Sequence, residues 1–300
     1  MATTSTALTG TPAASRSRRP RGALAQAARV YAHDRQAMLG LVIIAFIGGA
    51  ALAAPLISPW DPLTSASVER LSPIGTPGHL LGTDEQGRDI LSRLIWGGRA
   101  SLLVGILPTV TAGVVALGLG LLAGYLGGLV DHVIMRALDV FFAFPLVLLA
   151  IAIVGVIGPG MGNQMFALAV VLVPYSTRVV RTAALSVKPL EYVEAARALG
   201  ASGGRLVGRH LLPNVLPPLL VYTSTLVGLM IVASAGLSFL GLGVQPPTPD
   251  WGVMVGNGRL VLYRAAHVAT IPGVVIVVAA LAFNFVGDGL REALDPRARR

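Results

Sequence analysis

Few residues in this chain could do covalent chemistry. The letters Gly200-Ala201-Ser202-Gly203-Gly204 match a Gly-x-Ser-x-Gly nucleophile turn, and Asp250 and His267 follow in the order a hydrolytic triad would need. That turn requires a strand before its serine, whereas the residues before Ser202 carry a helical pattern, so the match reads as accidental. The sole lysine, Lys188, stands in Leu185-Ser186-Val187-Lys188-Pro189, without the glycine-rich turn that brings a Walker A lysine to a nucleotide phosphate. His33, His79, His132, His210 and His267 are scattered, with no His-Glu-x-x-His pair, and there is no cysteine for thiol chemistry, a disulfide or a thiolate metal site. What remains is a mechanical element, Glu191 to Asn214, EYVEAARALGASGGRLVGRHLLPN.

Local rules give this element its shape. Pro189 suits a first helical turn, Glu191 and Glu194 complement the positive end of a helix dipole, and Gly200 suits the left-handed residue that closes a helix. A short helix is predicted over 189–199. Leu190, Val193, Ala196 and Leu199 recur every third residue and form an apolar stripe, with Glu191, Glu194 and Arg197 off it. Such a stripe wants a partner groove; the plain alternative is a helix lying on a bilayer surface.

Composition says what surrounds the joint. Mean hydropathy is +0.74, hydrophobic residues make up 54% and charged residues 12%, against about 25% charged in soluble domains. Apolar runs predict crossings over 38–58, 102–126, 140–157, 165–180, 215–242 and 265–286, six transmembrane helices in all. Residues 1–37 read as a flexible polar tail, 59–100 as an outside loop containing an amphipathic helix, 101–288 as a five-helix core with the joint at 186–214, and 289–300 as a second tail. Ala51-Leu52-Ala53 before Pro55 has the letters of a signal-peptidase site, but the preceding tail is long for a signal peptide, so a retained helix is expected.

The net charge of +9 does not point to nucleic acid, because the arginines gather beside apolar runs without interleaved aromatics. Only Arg70, Arg88, Arg93, Arg99, Arg259 and Arg264 fall on the side opposite the joint. The positive-inside rule therefore puts both termini and the 186–214 loop in the cytoplasm.

Glu194-Ala195-Ala196, three residues, Gly200, nine residues, then His210-Leu211-Leu212-Pro213 is similar to the EAA loop of ABC-importer permeases. LGTDEQGRDILSRLIWGGRASLLVG (81–105), MRALDVFFAFPLVLLAIAIVGVIGPG (135–160) and GDGLREALDPR (287–297) resemble the C-type permease subunit of dipeptide, oligopeptide and nickel importers. His210 stands where the broad pattern prefers isoleucine, and the Arg-rich tail falls outside the resemblance. The resemblance implies an all-α integral membrane fold: a type I importer (MetI-like) five-helix core plus one N-terminal helix, in a bacterial plasma membrane. It also implies a non-catalytic subunit paired with a B-type permease, two ABC ATPase subunits that bind ATP and Mg, and an extracytoplasmic solute-binding protein. No cofactor is expected in this chain. Leu190, Tyr192, Val193, Glu194, Ala195, Ala196 and Gly200 would form the ATPase-coupling set. Peptide is the solute the motifs favour, with nickel or another small solute fitting the same architecture.

Several side chains within the crossings invite a role. Ser224, Thr225, Ser234 and Asn284 are candidates for the translocation pathway, although Ser and Thr commonly bond their own helix carbonyls. Arg136 and Asp139 are spaced to pair at i and i+3. Thr83 and Gln86 could form a capping box for a surface helix. Gly120 and Gly124 would permit close helix approach, Arg178 and Arg181 would snorkel, and Pro145 would kink the third crossing. Two other classes compete: an intramembrane hydrolase built on Ser202, and an ion-driven carrier. The carrier lacks a mid-membrane carboxylate, since Asp139 and Asp288 lie near predicted ends.

Overall fold

The computed structural model describes residues 23–65 and 69–294. Within them the chain is helical, and β-structure is limited to the isolated bridges Thr76 to His79 and Thr83 to Asp89. In order come α1 (Ala23–His33), α2 (Arg35–Leu52), α3 (Ala54–Ile57), α4 (Ile90–Leu126), α5 (Gly128–Asp139) with a 3-10 turn Val140–Ala143, α6 (Leu146–Ile157), α7 (Met161–Val187) and α8 (Glu191–Ala198). Then α9 (Gly203–Leu206) runs through a π turn, Val207–Leu211, into α10 (Leu212–Phe239), followed by α11 (Trp251–Gly258), a 3-10 turn Arg259–Val261, and α12 (His267–Leu294). Five stretches are long and apolar enough to cross a membrane, and the bent pair α5–α6 makes six if counted as one passage.

The start of the chain is more ordered than a flexible tail over 1–37 would be. Residues 1–22 lie outside the described residues, but ALAQAARVYAH is rich in good helix formers and folds as α1. Asp34 then caps α2, accepting from the Gln36 and Ala37 amides at 2.8 and 3.2 Å. Helix α2 lies on α12: a Cβ added at Gly40 would come within 2.6 Å of the Ala282 carbonyl.

Two crossings depart from the expected form. The Phe144-Pro145 step is a break and not a kink, because the helices on either side meet at 90°. Proline disfavours helix at the residue before it and cannot donate its own N–H, and Phe144 is extended at φ −116, ψ 137. Helix α6 alone would span only about 18 Å against a hydrocarbon core of about 30 Å. Helix α4 errs the other way. At roughly 55 Å it projects beyond the core and begins at Ile90, with no separate surface helix among the described residues of 69–89. Its cap is Asp89, which accepts from the Ser92 amide at 2.7 Å, not the Thr83 and Gln86 pair. Ile90 and Leu94 are buried beside Trp251 and Val268, so the apolar side of this stretch meets protein.

At the end opposite the joint, residues 59–65 and 69–89 and α11 close over the bundle. Asp84, Arg88 and Arg93 are all buried; Arg88 Nε donates to Asp84 Oδ2 at 2.6 Å, and Arg93 Nε lies 3.4 Å from the same oxygen. The Trp251 indole N–H donates to the Leu94 carbonyl at 2.9 Å, and the Ser101 hydroxyl donates to Asp250 Oδ2 at 2.7 Å. Burial holds the Asp250 carboxyl above its ordinary pKa, against opposing hydrogen bonds from Ser101 and Val253.

His79 bridges two carboxylates, with Nδ1 2.9 Å from Asp89 and Nε2 3.1 Å from Glu69, and stacks on Trp60 at 5.2 Å. Burial alone would lower its pKa, but the hydrogen bonds to Asp89 and Glu69, with their charge, raise it above the ordinary 6.5. A raised pKa means that the bridge stabilises fully below the unfolded value and stops contributing as pH rises through the folded one. Protection from hydrogen exchange in 69–89, taken relative to the intrinsic rate at each pH, should therefore fall on going from pH 6 to pH 9. His79→Gln should show low protection at both values; if the pH dependence of its protection matches the parent's, the bridge is not the cause.

Candidate functional site

The joint is built by local chemistry. Proline at 189 ends α7 by withholding an N–H, and the Leu190 amide returns to the Val187 carbonyl at 3.1 Å. Helix α8 therefore begins at Glu191, two residues later than expected, with Pro189 in the turn before it. At the far end the Ala201 amide donates to the Ala196 carbonyl at 3.1 Å and the Gly200 amide to Arg197 at 3.0 Å. These are the two bonds of a Schellman motif, and Gly200 has the φ of +80° that the motif needs.

Burial divides the apolar stripe. Val193 is 0% exposed and packs, with Ala196 beside it, among Val180, Ala184, Val187, Leu206, Leu211 and Val215. Val193 is thus taken from the outward-facing set: it fastens α8 to its own bundle. Leu199, by contrast, is 89% exposed, and Leu190, Tyr192, Glu194 and Ala195 are exposed as well. The stripe has two customers because a residue every third position precesses around a 3.6-residue helix, so its members do not share one face. Tyr192 ties the outer face to α10. Its hydroxyl accepts from Asn214 Nδ2 at 3.2 Å, and its ring lies 5.9 Å from that of His210.

Three cations gather the helix ends around this joint. Lys188 Nζ donates to the Tyr125 carbonyl at 2.8 Å, satisfying an orphan carbonyl at the end of α4. Arg181 makes a two-pronged pair with Asp131 of α5, both contacts at 2.5 Å. Arg178 pairs with Asp139 at 2.6 Å and lies over the Phe142 ring at 3.7 Å. The expected Arg136 to Asp139 pair is replaced by this tertiary one, and the two arginines of α7 pair with acids instead of merely snorkelling. Nothing in sequence spacing announces partners about 40 or 50 residues away. Helices α4 and α7 also meet closely: a Cβ added at Gly120 would stand 2.5 Å from Val180 Cγ1, and one at Gly124 would stand 2.7 Å from Ala184 Cβ. The joint, α4, α5 and α7 are therefore mechanically continuous.

Three of the four proposed pathway side chains meet at the seam of α10 and α12, where a Cβ added at Gly287 would stand 2.6 Å from Thr225 Oγ1 and 3.2 Å from Ser224 Oγ, with Asn284 one turn before it. Ser234 is buried further along α10. Ser224 donates to the Val221 carbonyl at 2.8 Å and Ser234 to Ile231 at 2.9 Å, each bonding its own helix. Thr225 also donates to Val221, at 3.2 Å, but it lines a cavity of about 540 Å³ between α7, α10 and α12. Asn284 packs on Gly228, where an added Cβ would come within 3.3 Å of its Nδ2. The triad letters stay apart: Asp250 is held by Ser101, the His267 ring bonds the Ser72 carbonyl at 3.2 Å, and Ser202 precedes α9 at the joint.

Long apolar helices, one passage broken at Pro145, and a short exposed helix strung between two of the long ones define a multi-pass membrane architecture. The fold matches a chain of the MetNI methionine ABC transporter in an inward-facing conformation, with a TM-score of 0.57 and 22% identity over 69% of this chain and 98% of that chain. The chain belongs to the family of binding-protein-dependent transport system inner membrane components, whose model matches residues 116–300. A second model, the N-terminal TM domain of oligopeptide transport permease C, matches residues 23–73. Among relatives, a glutathione transport system permease protein of Pectobacterium atrosepticum is 43% identical over 87% of this chain and 86% of its own. A di/tripeptide transport system permease protein of Pseudomonas aeruginosa is 42% identical over 90% of each chain. A dipeptide transport system permease protein of Haemophilus influenzae is 39% identical over 90% of this chain and 93% of its own.

Proposed function

We propose that this chain is the C-type permease subunit of an ATP-driven importer of short peptides. In this reading it forms the pathway with a B-type permease, receives solute from an extracytoplasmic binding protein, and takes its motion from two ATPase subunits that alone bind ATP and Mg. The observation that carries the reading is α8, anchored inward by Val193 and presenting Leu190, Tyr192, Ala195 and Leu199 outward. The relatives' names support the solute class. Charge asymmetry supports a cytoplasmic position for the joint and both termini.

The cycle follows from the connections. ATPase closure presses α8, and α8 is continuous with α7 on one side and with α9, the π turn and α10 on the other. Displacing it tilts both long helices and exchanges inward for outward access, a two-state rigid-body switch that hydrolysis resets. Gly200 is the compliant hinge, and Tyr192 with Asn214 keeps α8 and α10 in register. Asp131 and Asp139 are engaged by arginines and Asp288 lies near the end of α12, not at its middle, which argues against the mid-membrane carboxylate relay of an ion-driven carrier.

Reconstituted vesicles containing both permeases and both ATPases should accumulate a dipeptide only with binding protein outside and ATP inside. Uptake driven by a proton gradient without ATP would refute the proposal. So would labelling of Glu194→Cys by an impermeant thiol reagent from the outer face of intact cells.

A further inference from the structure

We infer that the cavity between α7, α10 and α12 is a subsite for the two charged ends of a short unblocked peptide, with Asp288 receiving its ammonium group and Arg291 its carboxylate. The inference rests on the peptide-import reading above and adds the recognition chemistry. Opposite charges at i and i+3 on a helix ordinarily meet, yet Asp288 and Arg291 form no salt bridge with each other or with any other described residue. Both are exposed and line this cavity, an open groove of about 540 Å³. The opposite wall, from α10, is apolar at Pro217, Pro218 and Val221 and also includes Tyr222 and Thr225.

The dimensions suit a small zwitterion. Three residues of helix separate the two Cα atoms by about 4.5 Å along the axis, and the arginine arm adds reach. An extended dipeptide spans about 7 Å. A guanidinium can hold a carboxylate through two parallel bonds, while a carboxylate facing it from one turn earlier takes the ammonium. Because Thr225 donates its proton to the Val221 carbonyl, its oxygen is left to accept. The apolar wall would read side chains only loosely, so the ends of the peptide, and not its composition, are the recognised feature. Pro217 and Pro218 lie in the first turns of α10, directly after the joint, so motion of α8 reshapes the cavity.

The test uses a dipeptide of alanine and a diazirine-bearing amino acid, added to the full complex of permeases and ATPases in lipid nanodiscs without binding protein. Light should attach it within 217–225 or 288–294, and alanyl-alanine should compete while its C-terminal amide and N-acetyl derivative should not. Asp288→Asn and Arg291→Gln should each cut labelling about tenfold or more. The exchange Asp288→Arg with Arg291→Asp should restore it, since a zwitterion binds in either sense, whereas a pair held by fixed neighbours would not recover. Labelling elsewhere, equal competition by the amide, or indifference to both single variants would overturn the subsite. The competition pattern of the unaltered protein decides the matter even where a variant fails to assemble. If the complete transporter with binding protein imports no alanyl-alanine, the peptide reading itself falls; if it imports alanyl-alanine and the label misses the cavity, only the subsite falls.

Discussion

Gly200→Val in the assembled transporter should lower peptide uptake by about thirtyfold while ATP hydrolysis continues. The effect comes from the backbone. Residue 200 sits at φ +80°, and nothing lies within 4 Å of where its Cβ would stand, so no neighbour is struck. A left-handed conformation costs an ordinary residue about 1–2 kcal/mol, and a β-branched one sits at the unfavourable end. Leaving it instead breaks the two Schellman bonds at the end of α8, each worth about 1 kcal/mol. Either way the cost is about 2 kcal/mol, which at 1.36 kcal/mol per factor of ten gives the stated loss, expressed as α8 frayed or displaced from the ATPase. Asparagine tolerates this conformation, so Gly200→Asn should keep most uptake. Paired uptake and ATPase assays on both variants decide the matter. Normal uptake by the valine variant would remove the hinge from the mechanism, and equal damage by asparagine would remove its conformational basis.

Gly120→Ala should destabilise the bundle by about 1–3 kcal/mol, the usual range for overpacking, although alanine is the better helix former by about 1 kcal/mol. An added methyl at 120 would stand 2.5 Å from Val180 Cγ1 and 2.9 Å from the Thr177 carbonyl. The side chain could yield; the backbone of α7 could do so only by moving away. Val180→Ala combined with it should recover part of the loss, because it removes the side-chain clash and leaves the carbonyl one. Gly118→Ala is the control. Nothing lies within 4 Å of a Cβ there, so helix propensity acts alone and stability should be unchanged or higher. Thermal unfolding of the detergent-solubilised complex reads all four proteins. A Gly120→Ala transition as high as that of Gly118→Ala would mean that α4 and α7 do not pack at this seam.

Prediction from pattern worked best where a rule is local. The end of α8 at Gly200 was legible because few other residues adopt its backbone, and the crossings were legible because lipid admits only apolar runs. Boundaries were less so. Helix α4 begins at Ile90, not near 102, since Asp89 caps it. The chain before the first crossing was read by its polarity as a tail, yet alanine propensity and the Asp34 cap order α1 and the start of α2. The site was half legible: EYVEAARALG announced a docking helix, but which members of its stripe face outward was not written in the spacing. Val193 turns inward because α7, α9 and α10 close around it. The arginine partners were missed for a similar reason: local spacing favoured Asp139 with Arg136, three residues away, whereas folding delivered Arg178.

What the amino-acid order determined alone is the solvent and the joint: apolar runs cannot be hydrated cheaply, and a glycine after an acidic, alanine-rich helix leaves the backbone little choice. Tertiary structure decided which charges pair, which glycines lie at a seam and which hydroxyls reach a cavity. These are contacts between segments far apart in the chain, selected by burial and close packing among many possible partners, and no periodicity within one segment encodes them.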